Sequence, residues 1–240
     1  MLVMKSYEMD LKNYLRQNHF QLTWKVRIQI ITDIISALYN IHSENAIHRD
    51  LHSGNLLYLQ YVQQFDISDL GFCGPADKPL KSIYGNLPYI APEVIVDKEY
   101  TFKSDIYSIG MLMWEISSGQ PPFSNYKHDF DFVMNINNGM RPKVVSGTPM
   151  EYQSLMEQCW DADPLKRPDA YTLWDKISDI NTLCNQNKFP LETNDNLEIN
   201  RTNDLNTNYT SSKIFSTSKI HKFENLPEPR NATEGIYIIV

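Results

Sequence analysis

Apolar residues recur at helical and strand spacing up to about residue 184 and become sparse beyond it. Between residues 24 and 42, Val26, Ile30, Ile31, Ile34, Ile35, Leu38 and Ile41 return at steps of three and four. The polar Arg27, Thr32, Asp33 and Asn40 fall off that stripe, so the segment predicts an amphipathic helix, with Thr23 able to cap it. Two strand-like runs follow at 55–59 and 65–68, joined by Tyr61-Val62-Gln63-Gln64, and predict a hairpin. Residues 104–118 are apolar nearly all round, the pattern of a helix at the centre of a domain. Further helices are predicted near 126–138, 150–160 and 171–183, and a loop punctuated by glycine and proline spans 71–92. The opening Leu2-Val3-Met4 reads as the tail of a strand entering a helix.

From 185 to about 218 the chain turns to Asn, Thr, Ser and Asp, too poor in apolar surface to offset the entropy of ordering. The division expected is therefore a domain over 1–184 and a low-complexity, disordered tail over 185–240. Within that tail Leu226-Pro227-Glu228-Pro229 is extended in character. Lys213, Lys219, His221 and Lys222 read as a sparse basic patch on a solvated tail.

Composition narrows the classes. Hydrophobic residues make up 42% of the 240, enough for a sizeable core. Lys and Arg number 22 against 29 Asp and Glu, a net charge of -7, which argues against nucleic acid as a partner. Cys73, Cys159 and Cys184 form no CxxC pair, which fits a reducing, cytoplasmic setting without a disulfide framework or zinc site. No apolar run approaches the ~18 residues of a membrane span.

The chemistry concentrates in three segments. They are Ile47-His48-Arg49-Asp50-Leu51-His52-Ser53-Gly54-Asn55-Leu56-Leu57, Ser68-Asp69-Leu70-Gly71-Phe72, and Gly85 through Ala91-Pro92-Glu93. In that order they resemble the HRDLxxxN catalytic loop, the DFG motif (here DLG) and the APE motif of protein kinases. The resemblance continues through Lys103-Ser104-Asp105 and ends at Cys159-Trp160 and Asp163 to Pro168, covering roughly residues 1–183. Gly85–Glu93, Gly139-Met140-Arg141-Pro142 and Cys159-Trp160 look like the tyrosine-kinase-like group.

The resemblance implies a mainly α, α+β fold: the large lobe of a protein kinase, with a short β-hairpin beside the catalytic loop. It implies ATP and Mg²⁺ as cofactors and a protein as substrate. Asp50 would accept or orient the substrate's hydroxyl proton, and Asn55 and Asp69 would bind magnesium. His52 takes the place of a lysine common in Ser/Thr kinases, and with an ordinary pKa near ~6.5 it would be largely neutral. Tyr7 would offer backbone groups to adenine, and Leu57 would lie beneath the ring. His48 and Leu70 would stack in the lobe's internal spine. Asp105 would hold the catalytic loop, although a plain helix cap reads the same from sequence. Glu93 and Arg167 would form a buried ion pair. Arg49 would receive a phosphorylated activation loop, with Ser82 and Tyr84 as candidate acceptors.

No GxGxxG motif, strand lysine or partner glutamate occurs in the chain, so it is expected to represent the large lobe with the small lobe missing. Two functions follow: a Ser/Thr or Tyr protein kinase of weak activity in this form, or a pseudokinase-like scaffold that binds a regulatory protein.

Overall fold

The fold is seen in a computed structural model, which describes residues 7–75, 83–97, 99–186, 218–223 and 226–231. The expected strand at Leu2-Val3-Met4 and the candidate acceptor Ser82 lie outside these residues. A two-residue strand, β1 (Met9–Asp10), opens directly into α1 (Leu11–Asn18), because the Asp10 carboxylate accepts the Asn13 N–H at 2.7 Å and caps the helix. Leu11 and Leu15, four apart, bury the inner face of α1.

The strongest predicted helix is α2 (Trp24–Ser43), and Thr23 does cap it, accepting the Val26 N–H at 3.4 Å. Its buried stripe is Ile28, Ile30, Ile31, Ile34, Ile35 and Leu38. Val26, counted in the stripe on spacing, is exposed, and Ile28 takes the inner position instead. Arg27 is polar for a reason: its guanidinium donates to the carbonyls of Ile116 and Ser117 at 3.3 and 2.6 Å. It thereby satisfies acceptors that the end of another helix leaves open.

Next come β2 (Ala46–Ile47), β3 (Leu56–Leu59), β4 (Gln64–Ile67), β5 (Gly74–Pro75) and β6 (Ile83–Gly85). The predicted hairpin is β3–β4, in the register Leu56 to Ile67 and Leu59 to Gln64, and β1 adds antiparallel to its other edge. A separate antiparallel pair joins β2 to β5. These two short ladders bracket residues 48–55 between them.

The rest is helical: α3 (Pro92–Asp97), α4 (Phe102–Ser118), α5 (Phe130–Asn137), α6 (Met150–Cys159) and α7 (Ala170–Asn185). As the pattern predicted, α4 is the central helix, with every residue from Ser104 to Ser117 buried. It ends at Gly119, whose left-handed φ of 76° closes the helix, and where a Cβ would meet the His19 ring at 2.3 Å. Around α4 pack α2 and α6, and α7 lies along α2. The molecule is thus mainly helical with small antiparallel sheets. Cys73, Cys159 and Cys184 are free thiols, and no described helix is long and apolar enough to cross a membrane.

The tail holds a departure from expectation. Two stretches of it are placed against the domain. In the first, β7 (Lys219–His221) pairs antiparallel with β6. In the second, Arg230 N donates to Asn137 O at 2.9 Å, and the Asn231 side chain bonds Ala162 N and Asp161. Polar contacts to the domain hold these stretches together with Phe223 and Leu226, which pack against the core, and such isolated apolar residues form no period along the chain.

One ion pair ties the lower half together. Arg167, its side chain wholly buried, forms a two-pronged bridge to Glu93 at 2.7 and 2.8 Å. It also donates to the carbonyls of Asp161 and Lys103 and lies over the Tyr107 ring. Arg167→Ala would strand the Glu93 carboxylate and two carbonyls, so we expect a loss of about 3–5 kcal/mol in denaturant-unfolding stability. A loss below about 1 kcal/mol would show the pair to be marginal.

Candidate active site

The site is built outward from the first turn of α4. A capping box between Thr101 and Ser104 already satisfies the helix end, which frees Asp105 from the capping role. Its carboxylate instead accepts the backbone N–H groups of His48 and Arg49 at 2.8 and 2.9 Å, and lies 2.9 Å from His42 Nε2. This grip coincides with unusual backbone: Arg49 has φ 72° and Asp69 φ 56°, left-handed values that cost about 1–3 kcal/mol for such residues. The Arg49 guanidinium donates to the carbonyls of Phe72 and Pro75, fastening the loop to β5.

Two further side chains brace the loop. His48 is fully buried: its Nδ1 accepts the Asp50 N–H at 3.3 Å and its Nε2 lies 3.0 Å from Ser68 O. It is therefore a packed, satisfied histidine. Asn55 Nδ2 donates to Asp50 O at 2.9 Å, closing the loop, and Asn55 O accepts both Ser68 N and Ser68 Oγ.

The loop opens on a cleft of about 460 Å³, lined by Asp50, His52, Asn55, Asp69, Tyr84 and Ser218 among others. One Asp50 oxygen, Oδ1, accepts the Ser218 hydroxyl at 2.8 Å, while Oδ2 is buried without a hydrogen-bond partner. Gly85 passes close by with φ 141°, and a Cβ there would sit 3.2 Å from Asp50 Oδ1. The ring of His52 accepts the Gly54 N–H at Nδ1. In the neutral tautomer the proton is thus on Nε2, 3.0 Å from Ser218 Oγ and 3.8 Å from Asp50. Burial lowers the His52 pKa, against the opposing pull of Asp50.

Among the described residues no cluster of three His, Cys, Asp or Glu could hold a metal alone. Asn55 and Asp69, two hard oxygen donors on one cleft, fit an ion such as Mg²⁺ that fills its shell with waters and substrate phosphate oxygens. Asp69 is exposed, its Oδ1 held loosely by the Gly71 N–H at 3.4 Å.

Three other predicted positions, Leu57, Tyr7 and Leu70, lie apart from the cleft. Leu57 is half-buried on the middle strand, and Tyr7 donates through its hydroxyl to Asp66 at 2.8 Å; neither lines this cleft. Leu70, expected to stack inside with His48, is instead 56% exposed on the turn after Asp69. Tyr84 stacks on Phe72 at 3.7 Å.

Two groups escaped sequence reading. Glu115 is buried inside α4 and accepts the Tyr89 hydroxyl at 2.6 Å, behind the cleft wall. Ser218 belongs to a run of Ser and Thr with no helical or strand period. Only the Ile220 and Phe223 that follow hint at a docked segment.

The helical part of the chain thus holds an aspartate-bearing loop over a cleft lined by oxygen donors. The chain belongs to the protein tyrosine and serine/threonine kinase family, which it matches over residues 1–177. Members of that family are ATP-dependent protein kinases. A human protein named dual serine/threonine and tyrosine protein kinase is 34% identical over 192 residues, covering 78% of this chain and 20% of that protein. In Dictyostelium discoideum, dual specificity protein kinase zakA is 29% identical over 195 residues, 74% of this chain and 25% of that protein. A probable serine/threonine-protein kinase of that organism, drkD, is 32% identical over 162 residues, 66% of this chain and 12% of that protein. The chain therefore spans about a quarter or less of the length of these curated relatives.

Burial pushes the Glu115 carboxyl up to about 7, against hydrogen bonds from Tyr89 and Ser53 that favour its charge. Between roughly pH 4.5 and 7 the folded protein holds a proton that the unfolded chain releases, so this group's contribution to stability falls as pH rises. Glu115→Gln removes that penalty. We expect the variant's stability advantage to grow across this window to at most about 3 kcal/mol and then level off. Parallel melting-temperature profiles for the two proteins would contradict the assignment.

Proposed function

We propose that this chain is the catalytic large lobe, residues 1–184, of a tyrosine-kinase-like protein kinase that moves the γ-phosphate of ATP to protein hydroxyls. Serine and threonine are the foremost acceptors and tyrosine a second class. The names of its relatives, which include both Ser/Thr and dual-specificity kinases, support that range. The single observation carrying the reading is that Asp50, Asn55 and Asp69 line one cleft, with an acceptor hydroxyl already seated on Asp50.

In this reading Asp50 orients the acceptor and takes its proton. The Oδ2 without a hydrogen-bond partner is an acceptor whose burial raises the worth of a bonded proton. Neutral His52 donates from Nε2 to the acceptor oxygen and adds no charge that would compete for the proton. Asn55 keeps the loop closed through Asp50 O, leaving its amide oxygen for the metal beside Asp69. Magnesium, when bound, neutralises the phosphates of the nucleotide. The Tyr7 and Leu57 region is the adenine side, and Arg49 receives a phosphorylated activation loop.

A second reading is a scaffold whose helical surface binds a regulatory protein. Transfer to Ser/Thr peptides with Mg²⁺ and labelled ATP separates the two. We expect a magnesium-dependent rate that drops by about 10²–10⁴-fold in Asp50→Asn, with the melting temperature checked in parallel. A rate untouched by that substitution would remove Asp50 from its role, and no transfer at all would favour the scaffold.

A further inference from the structure

The hydroxyl on Asp50 belongs to this chain's own tail. Ser218 donates from Oγ to Asp50 Oδ1 at 2.8 Å, and the same oxygen lies 3.0 Å from His52 Nε2. Two features hold it there. First, β7 pairs with β6 in the register Lys219 to Gly85, Ile220 to Tyr84 and His221 to Ile83, so the three residues after Ser218 run as an added strand. Second, His221 is buried, its Nε2 lies 3.0 Å from Gly85 O, and its ring stacks on Phe223. Strand addition aligns a peptide by its backbone and leaves alternate side chains to choose it. The 31 residues from 187 to 217 could span on the order of 100 Å if extended, ample for a segment following α7 to reach this cleft.

We propose that Ser218 is a phosphate acceptor of this chain's own site, seated in cis as a substrate by the 218–223 segment. The inference rests on the kinase reading above. The Ser218 oxygen bonds to the γ-phosphorus of ATP, and the bond from that phosphorus to the β,γ-bridging oxygen breaks. ADP leaves with the electron pair, and the hydroxyl proton passes to Asp50. His52 donates to one lone pair of the Ser218 oxygen and leaves the other for attack. The product, carrying about -1.5 to -2 charge, is repelled by Asp50, so a single turnover empties the seat. The segment also specifies a substrate class: an extended peptide with serine followed by Lys-Ile-His.

The test incubates the full chain with Mg²⁺ and labelled ATP, alongside an added degenerate Ser/Thr peptide library. Mass spectrometry then assigns the phosphate within residues 214–219, which also hold Ser216 and Thr217. We expect label on Ser218, at a fractional rate unchanged over a thirty-fold dilution, absent in Ser218→Ala and kept in Ser218→Thr. His221→Ala, which loosens the anchor, should slow it roughly tenfold without a matching loss on the library. Label on the library with Ser218 bare would overturn this inference and leave the kinase reading standing. Label on neither would sink both, and a Ser218 rate that rises with protein concentration would overturn seating in cis.

Discussion

The arrangement depends on one carboxylate. Asp105 projects from a helix that is buried on every side, so its position is set by the packing of α4 against α2 and α6. A buried carboxylate is costly unless its lone pairs are filled. Here they are filled by the two backbone N–H groups of His48 and Arg49 and by the His42 ring. The bargain is mutual, since those N–H groups have no ladder partner. It also offsets the left-handed backbone at Arg49, which turns the next residue, Asp50, toward the cleft. Core packing thus becomes active-site geometry through a pair of hydrogen bonds.

The opposite wall is fixed by the same logic. Ser108, one turn along α4, donates to Tyr89 O at 2.8 Å, and Glu115 takes the Tyr89 hydroxyl two turns further. Glu93, just beyond, is clamped by Arg167. Between these anchored walls the backbone at Ile83–Gly85 presents an open edge, and β7 completes it. A loop edge held rigid beside the Asp50 carboxylate is where an extended peptide gains most from backbone pairing. This explains why a segment poor in apolar residues takes a defined place there.

Much of this was legible in the sequence, for stated reasons. The long periodic helices α2 and α4 and the β3–β4 hairpin follow from apolar spacing, because each must bury one face or all of itself. The grouping of Asp50, Asn55 and Asp69 in one cleft was legible through motif order. Spacing said less where backbone direction decides. Val26 and Ile28 differ by half a turn, and the packing of α2 against α4, α7 and β4 turns Ile28 inward and leaves Val26 exposed. The resemblance placed Leu70 in the interior, yet the left-handed Asp69 before it directs the chain outward. His221 read as one member of a solvated basic patch but is buried, since its partner Gly85 O lies 136 residues away. Ser218 had no local signal because its role comes entirely from what it meets.

The most direct measurement of the central claim is native-state hydrogen exchange at the amides of His48 and Arg49. If Asp105 locks the loop to the core, both should exchange only through global unfolding, with the same free energy as amides in the middle of α4. Exchange of these two by a low-energy local opening, while α4 stays protected, would show that the loop is positioned by something other than that carboxylate.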